Sequence, residues 1–305
     1  MPDTRFHIAD SDGTTLVVTV DGTEIARYVY RPDAPAEESP KPYLYPLNTL
    51  SGAPLGVYRP WDHRWHKGLQ MTWSHLSGEN FWGGPTFEAW APGHGYVWRR
   101  NQGTQEHQSF EVLDTEGDEV TVRELLNWVA SDQQTWIRET RTLRFHSADA
   151  ARGIWVLDFH TDLTNAHTGT LEMGSPTTHG REKAGYTGLF WRGPRSWTGA
   201  DILADGADGE ELMGTEGAWA AISGEHDGID GAATVLAYAG TSSAPVPIKW
   251  FARSDAFACL NPSPAFDTEI KLDPGQTLRL RHRFVFIDQA TDRSTLEPIA
   301  AEFTL

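Results

Sequence analysis

At 305 residues the chain is long enough to bury a sizeable core, and it reads as one domain over residues 1–305. Its 25 lysines and arginines face 42 aspartates and glutamates, a formal charge of −17, which disfavours nucleic acid and anionic membrane as partners and leaves a neutral small ligand unaffected. No run of 18 apolar residues occurs, the opening Met-Pro-Asp-Thr-Arg has no apolar leader segment, and one cysteine, Cys259, allows neither an intramolecular disulfide nor a cysteine metal cluster, so a soluble cytoplasmic protein is expected.

Residues 15–20 and 23–30 are rich in β-branched side chains and flank Asp21-Gly22, a hairpin signal because a type I′ turn needs positive φ at both central positions. Residues 31–42, with Pro32, Pro35, Pro40 and Pro42, read as a surface loop. The stretch 58–84 organises the rest. Asp62, His63, His66 and Gly68 follow Pro60 in a segment too short for a helix, and a loop is the setting in which both imidazoles can meet. An alternating strand is then expected over 69–75, with Leu69, Met71, Trp73 and His75 on one face and Gln70, Thr72 and Ser74 on the other. Six of the 13 tryptophans, among them Trp65 and Trp82, fall between residues 61 and 98, an aromatic density suited to gripping a sugar. Residues 83–104, rich in glycine and aromatics and including His94, read as a long loop over a cleft.

Strands are expected near 110–114, 119–130, 135–146 and 153–164, with a turn at Glu116-Gly117-Asp118. In the third, Glu139 and Arg141 share the apolar side with Ile137, Leu143 and Phe145. Two readings follow: a partly buried ion pair, or a cleft-facing Glu139 tuned by burial for acid–base work. Residues 174–197 fit no amphipathic helix. They pack His179, Arg181, Tyr186, Arg192 and Arg195 among glycines, which makes them a second candidate site. Further strands are expected near 218–223, 232–239, 248–252 and 256–260, a type II turn at Asp273-Pro274-Gly275, an alternating strand carrying His282 inward, and a short helix near 294–303. Cys259 and His282 read as buried core residues.

The segments 43–84 and 174–197 resemble the bacterial family labelled PmoA after a methane oxygenase subunit, through Asp62, His63, His66 and Gly68 followed by Asn80, Phe81 and Trp82. Members accompany sugar-catabolic oxidoreductases. The resemblance implies a soluble protein in spite of the label, since this chain has no spanning segment. More distantly, 163–179 and 261–286 are similar to the galactose mutarotase-like supersandwich, which implies His179 as general acid; where mutarotases carry a basic glutamate this chain has Asn261.

The fold expected is all-β, an antiparallel β-sandwich of the supersandwich type with two large sheets face to face. The function expected is that of a carbohydrate-active enzyme using His/Glu acid–base chemistry on a sugar or oxidised keto glycoside, by C–O cleavage, hydrolysis or epimerisation. His63, His66, His179 and Glu139 are its candidate catalytic residues, with Asp62, Trp65, His75, Trp82, Arg181 and Arg192 binding the ligand in one pocket on the concave face of the sandwich. The alternatives are a non-catalytic carbohydrate-binding protein and a metal-dependent oxygenase or hydrolase built on His63 and His66. No cofactor is expected to be essential, although the two-histidine loop beside Asp62 is compatible with a divalent metal.

Overall fold

A computed structural model of the chain describes residues 5–91 and 95–305; Pro92, Gly93 and His94 of the long loop lie outside the described residues. Two large antiparallel sheets dominate, one of nine strands and one of eight, together with a three-stranded and a two-stranded sheet among the described residues. The nine-stranded sheet runs from the N-terminal hairpins through Tyr43–Leu47 and Leu69–Trp73 to Thr187–Arg192, Cys259–Ser263 and Lys249–Arg253. The eight-stranded sheet centres on Thr135–Asp149, Ile154–Asn165 and Thr277–Ile287. This is the all-β antiparallel sandwich that the period-2 patterns imply.

Local chemistry explains the elements. Strands Thr15–Val20 and Thr23–Val29 are joined by Asp21 and Gly22 at φ 49° and 86°, the mirror-image turn that matches strand twist. At Asp273-Pro274-Gly275, Gln276 N donates to Asp273 O at 2.9 Å and Gly275 takes the positive φ of a type II turn. The one α-helix described, Arg293–Glu302, is capped by Asp292, which accepts from Thr295 N, and it lays Leu296, Ile299 and Ala300 on the outer face of the eight-stranded sheet. No described helix is long and apolar enough to cross a membrane.

Between the large sheets lies one continuous apolar cluster. Leu16, Val18, Leu69, Trp73, Leu189 and Trp191 reach into it from one side, and Val122, Trp128, Leu143, Phe159, Leu280 and Phe284 from the other. Burying each such side chain contributes roughly 1.5–3 kcal/mol. Alternation then assigns the remaining positions of the central strands. If Leu189 and Trp191 face the core, Phe190 and Arg192 must face away from it, and so must Phe251 and Cys259 beside Ala252 and Leu260. Phe190, Phe251 and Cys259 form a separate, mainly aromatic cluster with Trp82, Phe257 and Phe266.

Several expectations need correction. Within the glycine-rich stretch 174–197, read above as a candidate site with no strand in it, Thr187–Arg192 is a fully buried central strand. Gly188 sits in its middle at φ 86°, where an added Cβ would lie 2.7 Å from Pro264 Cδ. The strand at 69–75 ends at Trp73; His75–Leu76 joins the three-stranded sheet, so His75 leaves the face of Leu69, Met71 and Trp73. The proline-rich loop is only partly at the surface, because Glu38, Ser39 and Lys41 are buried. Glu116 and Gly117 pair with the strand Phe6–Asp10 rather than forming only a turn.

Glu139 is a core residue. It lies on the inter-sheet face of the eight-stranded sheet, where both its oxygens accept from Arg141 at 2.8 Å, with further bonds from Trp128 Nε1 at 2.8 Å and Thr161 Oγ1 at 2.7 Å. Arg141 reaches on to Tyr28 of the opposite sheet at 3.1 Å and to Gln105 at 3.0 Å. Every polar atom of the pair is accounted for, which is the condition under which a buried ion pair is tolerated. Glu139→Ala strands Arg141 and is expected to lower the unfolding free energy by about 3–5 kcal/mol. The double variant Glu139→Leu/Arg141→Met should recover most of that loss in urea melts. A single variant that melts within about 1 kcal/mol of the parent contradicts the network, since that is the size of an ordinary surface effect.

Candidate active site

The face of the nine-stranded sheet turned away from the inter-sheet core carries a cavity of about 530 Å³. Beneath it, behind His66, lie the outward side chains Phe190 and Arg192 of a central strand. The cavity walls come from residues 63–66 and 74–87, with Tyr96 closing one side, and from two segments distant in sequence, around 176–186 and 253–257.

The first segment is held rigidly. His63 N donates to Pro60 O and His66 N to His63 O, both at 2.9 Å, two successive turns that bring the imidazoles onto one side. The rings stack with centroids 4.8 Å apart. Arg59 N closes back on His66 O at 2.9 Å, and the Arg59 guanidinium and Lys67 ammonium both grip the buried carboxylate of Glu38. Gly83 and Gly84 pack against Trp65 so closely that a Cβ on either would lie 2.6 Å from it. Trp65 is thereby fixed as a wall.

Asn80 shapes the next segment. Its Oδ1 accepts from Trp82 N and Gly83 N, both at 2.9 Å, which turns Trp82 towards the cavity while Phe81 packs in the core on Trp128. His75 donates from Nε2 to Phe87 O at 3.0 Å, because a carbonyl can only accept, and its Nδ1 accepts from Ser74 Oγ at 3.2 Å. Burial holds the His75 pKa down at about 4.

The two central imidazoles are also held neutral. Burial is the main cause for His66, well below its ordinary value, and its neighbours His63 and the Arg192 cation resist a positive charge there; burial likewise lowers His63 against the pull of Asp62. Arg192 Nη1 lies 3.2 Å from His66 Nδ1. A guanidinium can only donate, so Nδ1 accepts and Nε2 carries the ring proton. Asp62 Oδ2 is 3.1 Å from His63 Nδ1, an electrostatic contact off the hydrogen-bond axis, and Asp62 is itself anchored by Arg195. The cavity therefore holds one imidazole with its Nδ1 turned to a carboxylate and one with its Nδ1 turned to a cation.

His63, Trp65, His66, His75, Trp82 and Arg181 line the cavity, while Asp62 and Arg192 stand directly behind its histidines. His179 stacks on the His75 ring at 4.2 Å and does not itself line the cavity; its Nδ1 donates to Ser175 O at 3.0 Å and its Nε2 lies 4.0 Å from Glu269. Glu139 does not line the cavity; it lies in the inter-sheet core, paired with Arg141. The Asn261 amide donates to Thr187 O and Leu189 O, both at 2.8 Å, bracing the strand beneath the cavity. Sequence reasoning missed Arg253, Phe257 and Tyr96 as site residues. Phe257 lies 3.6 Å above the Arg192 guanidinium, a cation–π contact that no local pattern announces. Among the described residues no three or more of histidine, cysteine, aspartate and glutamate are grouped to hold a metal, and the Arg192 cation beside His66 opposes a second cation there.

His75 and the core residue His282 both have pKa values held at about 4 by burial, far below the ordinary 6.5 of the unfolded chain. Above pH 6.5 neither state is protonated and nothing is lost. As the pH falls from 6.5 to 4 the unfolded chain takes up protons that the folded one refuses, so stability falls by up to roughly 3 kcal/mol per histidine. Denaturant titrations from pH 8 to 4 should show this loss, and His75→Gln, which keeps a donor for Phe87 O, should make it shallower. An unchanged slope in the variant means that His75 is not buried as a neutral ring.

Among solved structures, an alpha-galactosidase from Lactobacillus brevis is similar over 94% of this chain and 40% of its own, at 9% sequence identity and a TM-score of 0.39. The chain thus spans two fifths of that enzyme's length. A comparison with curated proteins returns no match. The PmoA resemblance finds no support in these comparisons: the family model that matches, over residues 15–301, carries a different description. The chain belongs to the family described as DUF6807, a family of unknown function.

Proposed function

We propose that the chain is a carbohydrate-active enzyme that moves a proton at a carbon beside the carbonyl of an oxidised sugar. The observation that carries this reading is a pair of neutral imidazoles, in opposite electrostatic settings, inside a cavity walled by Trp65, Trp82, Phe87, Tyr96, Tyr186 and Phe257. Aromatic faces suit the apolar side of a sugar ring. No aspartate or glutamate is among the described residues lining the cavity, so hydrolysis by a carboxylate pair is not favoured.

In this reading His63, with Asp62 beside Nδ1, accepts the proton at Nε2. The electron pair left on carbon moves onto the carbonyl oxygen. His66 donates its Nε2–H to that oxygen, and burial beside Arg192 keeps it a neutral donor. Return of the proton from His63 after the enolate has turned its other face towards it gives an epimer. Loss of a neighbouring oxygen substituent, which takes that proton as it leaves, gives C–O cleavage.

The test is solvent exchange. Keto sugars and keto glycosides incubated with the protein in D2O should lose the NMR signal of the hydrogen next to the carbonyl faster than in buffer alone. His63→Gln should slow this by about 10²–10⁴-fold, the usual contribution of a general base, with ligand affinity kept within a few fold. Saturable binding with no exchange across the panel would instead favour a non-catalytic carbohydrate-binding protein, the reading that the aromatic walls support on their own.

A further inference from the structure

The cavity has a charge opposite to that of the chain as a whole. Against a formal charge of −17, Arg181 and Arg253 line it, Arg192 lies behind His66, and no carboxylate is among its described lining residues. Acidic side chains are in surplus, and buried or half-buried arginines elsewhere use them: Arg59 pairs with Glu38, Arg141 with Glu139, Arg283 with Asp158. The cavity arginines do not. Arg181 donates to two neutral phenols, Tyr96 and Tyr186, and Arg253 rests on the rings of Phe251 at 4.8 Å and Phe257 at 5.8 Å. Arg253 Nε is buried without a partner, as are Nε and Nη2 of the fully buried Arg192. Of the described arginines with no carboxylate in reach, the others (Arg31, Arg64, Arg100 and Arg138) are exposed and hydrated.

Withdrawing a guanidinium from water with no counter-charge is expensive, and a ring face offsets only part of the cost. Arg181 lies over the Tyr186 ring at 5.5 Å, Tyr186 meets Phe251 at 4.6 Å, and Arg253 lies over Phe251 at 4.8 Å, so one run of rings carries both lining guanidiniums. A planar fork of N–H donors fits the paired oxygens of a carboxylate or phosphate. We propose that the ligand of this cavity is an acidic sugar, with an oxyanion, carboxylate or phosphate, held between Arg181 and Arg253. The inference rests on the reading of the cavity as a carbohydrate site.

Calorimetric titration with hexuronates, hexose 6-phosphates and the matching neutral hexoses tests it, with benzoate and inorganic phosphate as sugar-free anions. At least one acidic sugar class should bind tenfold or more tighter than its neutral counterpart, the responding class identifying carboxylate or phosphate. Arg181→Gln/Arg253→Gln should abolish that preference, bringing the ratio of acidic- to neutral-sugar affinity down to about one. Should the double variant not fold, Arg181→Lys and Arg253→Lys, which keep the charge but not the fork, should each cut the preference at least threefold. Equal affinity for acidic and neutral sugars overturns the inference and leaves the carbohydrate reading standing, and a preference that survives the substitutions also overturns it. Arginine-dependent binding of benzoate or phosphate without binding of any sugar keeps the anion site and removes the carbohydrate reading. Failure of every anionic probe to bind removes the anion site.

Discussion

The strands Leu69–Trp73, Thr187–Arg192 and Cys259–Ser263 are buried on both faces, and the candidate site depends on that. One face packs Leu69, Trp73, Leu189 and Trp191 into the inter-sheet core; the other carries Phe190, Arg192 and Cys259 under the cavity. A sheet pinned from behind by a close-packed core cannot shift to suit a ligand. Geometry in the cavity is therefore set by the core, and the loops above need only attach to a fixed floor. Their attachment is by backbone: Arg192 N donates to Gly68 O at 2.8 Å and Gly68 N to Val57 O at 3.0 Å, which ties the histidine loop to the floor strand.

Buried charge is used in two ways in this molecule. In the core, Glu139, Arg141, Tyr28, Glu124 and His107 form a network that crosses from sheet to sheet, with His107 Nδ1 2.6 Å from Glu124. It fixes how the sheets face one another, and Gln105 extends it by donating to Met71 O at 2.9 Å on a floor strand. Behind Trp65 and Trp82, Lys41 donates to the backbone carbonyls of Glu38 and Trp82, both at 3.1 Å, and burial drives its pKa well down. These groups are satisfied within the protein. Beside the cavity, Arg253 Nε and Arg192 Nε and Nη2 are buried without such a partner.

Much of the fold was legible because most strands alternate. Thr135–Asp149 and Thr277–Ile287 show one apolar and one polar face, and Asp21-Gly22 and Pro274-Gly275 mark turns whose φ values follow from the residues. Thr187–Arg192 was hidden because a strand buried on both faces has no alternation to show, and Gly188 and Arg192 imitate loop composition. Glu139 shows a different limit. Alternation correctly put it on an apolar face, yet it does not say which side of which sheet that face occupies. The histidine loop was legible from Pro60 and Gly68, whereas Arg253 and Phe257 join the site only through the pairing of Lys249–Arg253 with Cys259–Ser263, a contact set by topology.

Cys259, the chain's one cysteine, is fully buried beneath this floor among Phe190, Phe251 and Phe257, and burial raises its pKa to about 11. A thiol in that state meets reagents only when the floor opens and water enters. The unaltered sequence thus carries its own clock. The rate at which a thiol-directed label is captured measures how often the ground under the histidines gives way, and a ligand that closes the cavity will slow it.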